Sequence, residues 1–196
     1  MRQISQLIEE ISGVEVRFAK LVDVSEISTG SQLNRSELAS SGAFPVLNGG
    51  ISPSGFHSEF NTAENTIAIS QGGASAGHVS FMTTKFWAGA HCYVIAPKVD
   101  MVLNKFLYYV LKNSQVKIQS SKMGAGIPGL SRASLYAVEV PVPSLQVQLE
   151  VIEILDTFTA LELELEAELK SRKKQYEYYR NHLLTFPEQG GVRWVP

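Results

Sequence analysis

SLQVQLEVIEILDTFTALELELEAELKSRKKQYEYYRNHLLTF, residues 144–186, contains neither glycine nor proline. As one helix, its roughly 40 residues would run about 60 Å, too long to bury a face against so small a chain alone. Val151, Leu155, Phe158, Leu165, Leu169, Arg172, Tyr176, Tyr179 and Leu183 recur at steps of mainly three and four, close to a heptad seam. The stretch therefore predicts a long, exposed helix, closed by Phe186-Pro187 and Gly190-Gly191. It divides the chain into a globular α/β unit over residues 1–143, a helix over 144–186 and a tail over 187–196.

Charge is ordered along this helix. Glu150, Glu153, Asp156, Glu162, Glu164, Glu166 and Glu168 fill its first part; Lys170, Arg172, Lys173, Lys174 and Arg180 follow. That order suits the helix dipole and also makes the helix complementary to an antiparallel copy of itself. The plainer alternative is a solvated face with dipole-friendly ends, but the length favours a partner helix. The seam residues Leu155, Phe158, Leu165, Leu169, Tyr176, Tyr179 and Leu183 are the expected contacts, with Tyr178 pointing elsewhere.

Before the helix the pattern changes. Ile4, Leu7, Ile8 and Ile11 predict a short amphipathic helix ending at Gly13. VEVRFAKLVDV and EIST then read as short strands or a strand and a turn. FPVL, TIAIS, HVSF and HCYVIA are brief apolar runs bounded by NGG, SPSG, QGG and AGA, as strands joined by loops are. MVLNKFLYYVLKNSQVKIQ reads as a basic helix, and LYAVEVPVP as a closing strand. The fold class expected is a mixed α+β globular domain followed by one long helix in an antiparallel coiled coil.

Composition narrows function. The chain of 196 residues is 44% apolar with a formal net charge of −2, enough for one good core. Its single cysteine, Cys92, excludes an intrachain disulfide framework and a multi-cysteine zinc site. That usage suits a reducing cytoplasm. The first residues carry Glu9 and Glu10 where a signal peptide needs an apolar run, and no apolar stretch approaches bilayer length. A soluble, cytoplasmic protein with no membrane contact is expected. The net charge conceals a basic segment, Phe81 to Tyr136, in which six lysines and Arg132 meet one acid, Asp100.

Catalytic motifs are absent or fail on context. GAGIPG (124–129) matches the spacing of a dinucleotide fingerprint, but a predicted helix precedes it and Pro128 lies inside it. QGGASAGHVS lacks the Gly-Lys-Ser/Thr of a phosphate-binding loop. The four histidines have no metal-ligand spacing, and there is neither a nucleophile elbow nor the Asn-Pro-Pro-aromatic tetrad of DNA amino-methyltransferases. Three glycine-rich polar loops remain: NGGISPSG (48–55), SQGGASAGH (70–78) and SSKMGAGIPGLS (120–131). Their glycines let backbone approach a ligand closely, and their Asn, Gln and Lys side chains suit base edges and phosphates. Ordinary turn chemistry also explains them. The candidate DNA contacts are Asn48, Gly49, Ser54, Gln71, Gly72, Gly73, Ser75, His78, Lys85, Lys122, Met123 and Gly124.

Together, LNGGISPSG, NTIAISQGGASAGHVSF, KFWAGAHCYVI, GIPGLSRASLYAVEVPVPSLQVQLEVIEILD and KKQYEYYRNHLLTF resemble the DNA-specificity subunits of type I restriction-modification systems. The most specific pieces are the strand-Pro-x-Pro-to-helix junction with Gln148 and the KQYEYYR end of the helix. The resemblance implies a non-catalytic subunit whose target-recognition domain reads double-stranded DNA. It further implies docking to DNA methyltransferase subunits and, through the complex, to a restriction/translocase subunit. S-adenosylmethionine and ATP belong to those partners, so no cofactor is expected here. Family members usually hold two recognition domains and two antiparallel helices. One domain and one helix imply a half-subunit, and GVRWVP (191–196) echoes GVEVRFAKL (13–21) as if a second repeat began there. A homodimer through the long helix, reading an inverted repeat, is the expectation. The alternative is a non-catalytic protein-interaction scaffold with a helical dimerisation arm.

Overall fold

The computed structural model describes residues 13, 16–124 and 128–186. The predicted N-terminal helix and the tail that echoes a second repeat lie outside the described residues.

Among the described residues the chain forms three small sheets, five α-helices and a short 3-10 helix at Arg35–Glu37. The strands are β1 (Arg17–Lys20), β2 (Ser25–Thr29), β3 (Phe44–Leu47), β4 (Gly55–His57), β5 (Thr66–Ser70), β6 (Val79–Met82), β7 (Trp87–Ala88), β8 (Cys92–Pro97) and β9 (Glu139–Val142). The helices are α1 (Leu21–Val24), α2 (Asn104–Asn113), α3 (Gln115–Ser120), α4 (Arg132–Tyr136) and α5 (Leu145–Leu184). The central sheet is antiparallel with order β2-β8-β5-β6; β4-β3-β7 forms a second sheet and β1-β9 a two-stranded ribbon.

Strand alternation puts the two faces of the central sheet in different cores. Ile67, Ile69, Val79, Tyr93 and Ile95 pack with Phe106, Leu107 and Leu111 of α2, and with Leu21, Val24, Leu130 and Leu135. The intervening residues Ala68 and Cys92 pack with Leu47, Phe86 and Ala88 on the side of the second sheet. Burial pushes the Cys92 thiol up to about 12, so it behaves as a small apolar group.

The outer strand β6 is blunted by side chains. The Val79 amide donates to Gln115 Oε1 at 2.9 Å, and Lys112 Nζ donates to the Val79 carbonyl at 3.0 Å. Those groups would otherwise offer an open edge to another strand.

Of the two readings of 14–29, short strands or a strand and a turn, Leu21–Val24 follows the second: it is one helical turn between β1 and β2, its apolar ends buried and Ser25 Oγ donating back to the Leu21 carbonyl. The structure corrects two other local readings. The expected helix over 101–119 breaks at Ser114 into α2 and α3. LYAV is not strand: Ser131 caps α4 by accepting the Ser134 amide at 3.0 Å, and the strand starts only at Glu139.

Two compact units divide the chain, Met1–Ile152 and Glu153–Pro196. In the first, α5 begins after Pro143 and Gln148 is fully buried. In the second, α5 carries its apolar residues in the open: Phe158, Leu165, Leu169, Tyr176, Tyr179 and Leu183 are all at least half exposed. Among the described residues no helix is long and apolar enough to cross a membrane.

Candidate nucleic-acid interface

The three glycine-rich loops meet at one end of the central sheet. Strand β5 ends at Ser70, opposite Cys92 at the start of β8, so the loop after β5 emerges beside the turn before β8. Ser70 Oγ donates to the Gly50 carbonyl at 3.2 Å, which ties in the loop after β3. The third loop is stitched by backbone: the Gly73 amide donates to the Pro128 carbonyl at 2.9 Å, and the Leu130 amide to the Gln71 carbonyl at 2.7 Å. Met123 and Gly129 exchange both their amide-to-carbonyl bonds at 2.9 Å. Sequence alone names the loops; the strand register brings them together.

The candidate residues are not equivalent there. Asn48 is a linker: its Oδ1 accepts the His91 amide at 3.2 Å, while the His91 carbonyl accepts the Gln71 amide at 2.9 Å. Gly49 lies beside His91, and Ser54 closes the same turn by donating its amide to the Val46 carbonyl. A Cβ added at Gly72 or Gly73 would meet nothing within 4 Å, so backbone is openly presented at both. Gly73 also has φ +75, a conformation glycine adopts without strain. Ser75 is half-buried, and its carbonyl accepts the His78 amide. Lys122 is half-buried, whereas Met123 and Gly124 are exposed.

Two of the twelve sit differently. Lys85 follows β6, whose last residue Met82 pairs with Thr66 at the opposite end of the hairpin from Gln71. Its ammonium lies 4.7 Å from the Phe60 ring centroid, so it is not part of the loop cluster. His78 packs back toward α2; desolvation, and secondarily the Lys112 ammonium, hold its imidazole below the ordinary range.

No carboxylate side chain occurs in the described parts of these loops; Lys122 lies within the third and Arg132 directly follows it. An anionic backbone would meet no like charge from the loops themselves. Among the described residues no cluster of His, Cys, Asp and Glu could hold a metal ion. Three further residues that the loop motifs do not contain adjoin this surface: His91, Tyr93 and Arg132. Ile51 is 61% exposed within the loop after β3. Tyr93 is buried below the loops, with the Arg132 guanidinium 6.0 Å from its ring centroid. Only pairing across β5 and β8 could have located His91 and Tyr93. Arg132 was visible as a base but not as a neighbour.

The α5 seam has an internal symmetry. Leu165 and Leu169 are equidistant from Ala167, as are Glu162 and Arg172, Phe158 and Tyr176, Leu155 and Tyr179, and Val151 and Leu183. Reversing the helix about Ala167 therefore matches apolar with apolar positions and an acid with a base.

Comparison with known proteins places this architecture. Residues 13–173 match the family model described as Type I restriction modification DNA specificity domain. A Haemophilus influenzae protein assigned as a type I restriction enzyme specificity subunit is 33% identical over 194 residues, covering 93% of this chain and 49% of the relative. The Escherichia coli EcoR124I/EcoR124II specificity subunit is 30% identical over 95 residues, covering 45% of this chain and 24% of that one. In three dimensions, the specificity subunit from M. genitalium superposes with a TM-score of 0.75 at 24% identity, over 86% of this chain and 46% of that one. The HsdS subunit from Thermoanaerobacter tengcongensis gives 0.59 at 18% identity, over 83% and 44%. The chain spans about half the length of the curated relative from H. influenzae. With the family model spanning both the looped domain and most of the long helix, the chain belongs to the type I restriction-modification DNA specificity domain family.

Proposed function

We propose that this chain is a sequence-recognition subunit whose three converging loops read one half of a bipartite DNA target. The observation that carries the reading is the convergence itself. Three glycine-rich loops without carboxylates share one sheet end, with Lys122 and Arg132 beside them. Backbone at Gly72 and Gly73 is open to close approach, and base edges would be met by side chains such as Gln71. Domain boundaries near 143 and 186 follow from the same reading: recognition before the first, spacer between them.

The long helix is assigned to pairing with a second copy. Its seam reverses onto itself about Ala167, so an antiparallel dimer would set Leu165 against Leu169 and Glu162 against Arg172 of the other copy. The two symmetry-related Glu162–Arg172 pairs within an apolar seam favour a single register. Two identical halves would then read an inverted repeat. Docking of methyltransferase subunits, and through them a restriction/translocase subunit, completes the assembly. Methyl transfer from S-adenosylmethionine and ATP-driven cleavage are assigned to those partners, and this chain carries no chemistry.

A methylation map of the chain co-expressed with its methyltransferase subunit tests the reading. An inverted repeat with a fixed gap is expected. An asymmetric bipartite target would remove the homodimer, and absence of sequence preference would remove the recognition role. A scaffold without DNA contact is the second reading, favoured by the exposed apolar seam of α5. Negligible duplex binding even with the methyltransferase present would select it.

A further inference from the structure

Gln71 lies where the loops meet, and its side chain is not free to turn. The Tyr93 hydroxyl donates to the Leu130 carbonyl at 2.9 Å. A hydroxyl has one hydrogen, so toward Gln71 it can only accept, and Gln71 Nε2 stands 3.0 Å away. The amide must therefore turn its NH2 toward Tyr93 and its Oε1 away. Among the described residues Oε1 has no hydrogen-bond partner, and it is not a buried atom lacking one. It therefore reaches solvent at the loop end. Tyr93 is 2% exposed, which fixes the hydroxyl in turn.

We propose that Tyr93 is a positioning residue for base recognition, holding the Gln71 amide so that it presents one acceptor and one N–H. That pair complements the major-groove edge of adenine, which offers the N6 amino donor and the N7 acceptor; guanine offers two acceptors there. The inference rests on the loops forming the DNA face. The backbone holds the loops together independently of Tyr93, since the Leu130 amide donates to the Gln71 carbonyl at 2.7 Å.

The test is a binding-site selection from randomised duplexes, using the full chain with its methyltransferase subunit. Wild type, Tyr93→Phe and Gln71→Met are compared, with thermal unfolding alongside. Wild type is expected to choose an A·T pair at one position by roughly 5- to 150-fold, the range of one bidentate contact. Both variants should relax that same position, leaving the other positions and the salt dependence intact. A merely structural role for Tyr93 would lower the active fraction for every sequence and leave the base ratio unchanged; that result overturns the proposal. So does relaxation at different positions in the two variants.

A duplex carrying 7-deazaadenine, which lacks N7, gives a reading on wild type alone and does not depend on how Tyr93→Phe folds. Weakening by roughly fivefold or more is expected, and unchanged binding overturns the proposal. A wild type with no base preference anywhere would overturn the DNA-reading role as well. Preference that survives both substitutions overturns the Tyr93 inference only.

Discussion

Gln148 Oε1 accepts the backbone amide of Leu103 at 2.8 Å, so the first turns of α5 cap the start of α2. The same carboxamide donates to the carbonyls of Met101 and Pro143, each at 3.0 Å. Gln148→Leu keeps the volume and strands all three backbone groups. Losing that network in a buried site is expected to cost about 2–4 kcal/mol. Denaturant unfolding measures it, and a loss below about 0.5 kcal/mol would show that solvent replaces the side chain.

Two glycines separate folding from function. At Gly77, φ is +83 and a Cβ would lie 3.0–3.1 Å from Gln119 atoms. Gly77→Ala is expected to destabilise by about 1–3 kcal/mol. Gly72 has open space and an ordinary φ, so Gly72→Ala should leave stability within about 0.5 kcal/mol. Its methyl would stand between backbone and duplex, lowering specific DNA affinity about tenfold, or about 1.4 kcal/mol. Thermal unfolding paired with binding assays distinguishes the two.

Lys122 is the lysine within the loop cluster. Lys122→Ala should weaken binding to all sequences alike and reduce the slope of log K against log salt by about 1. Lys85→Ala, at the far end of the hairpin, should do neither. Titrations at several salt concentrations decide this, and an equal effect of both substitutions would contradict the placement.

Charge reversal tests the helix register. Glu162→Arg alone, or Arg172→Glu alone, would set like charges against each other in the proposed dimer. Each should weaken association about tenfold or more, roughly 1.4 kcal/mol. The double variant Glu162→Arg/Arg172→Glu should recover it, as a direct partnership requires. Light scattering over a concentration series reads the result; a double variant as weak as the singles would reject this alignment.

His78 gives a pH signature. Desolvation chiefly, with the Lys112 charge second, lowers its imidazole pKa below the ordinary 6.5. On lowering the pH through 6.5, the unfolded chain takes up a proton that the folded chain resists, so stability falls. It is fully present above 6.5 and declines until the folded-state pKa is passed. Unfolding curves between pH 8 and 5 should show the decline, reduced in His78→Asn.

Legibility in the sequence followed the length of the signal. The long helix and the runs FPVL, TIAIS and HCYVIA were readable because apolar period and glycine boundaries agreed. Strand β7 was not: its Ala88 bonds to the side chain of Asn61, donating to Oδ1 at 2.7 Å and accepting from Nδ2 at 2.9 Å. No local pattern encodes that pairing. The break at Ser114 was hidden because apolar spacing continues across it into Val116 and Ile118. For the candidate site, glycine-rich composition identified the loops, but only register could separate Lys85 from the loop cluster or bring His91 and Tyr93 beside it.

The two-sided burial of β5 and β8 has an evolutionary consequence. Ile67, Ala68, Ile69, Cys92, Tyr93 and Ile95 are committed to one core or the other, whereas the loops begin only after Ser70 and before Cys92. With the base contacts placed in the loops, as proposed, mutations that rewrite an address can accumulate beyond those points while the scaffold's packing goes untouched. Such a molecule can acquire new targets by drift at its tips, and lineages sharing its frame need share little of what they read.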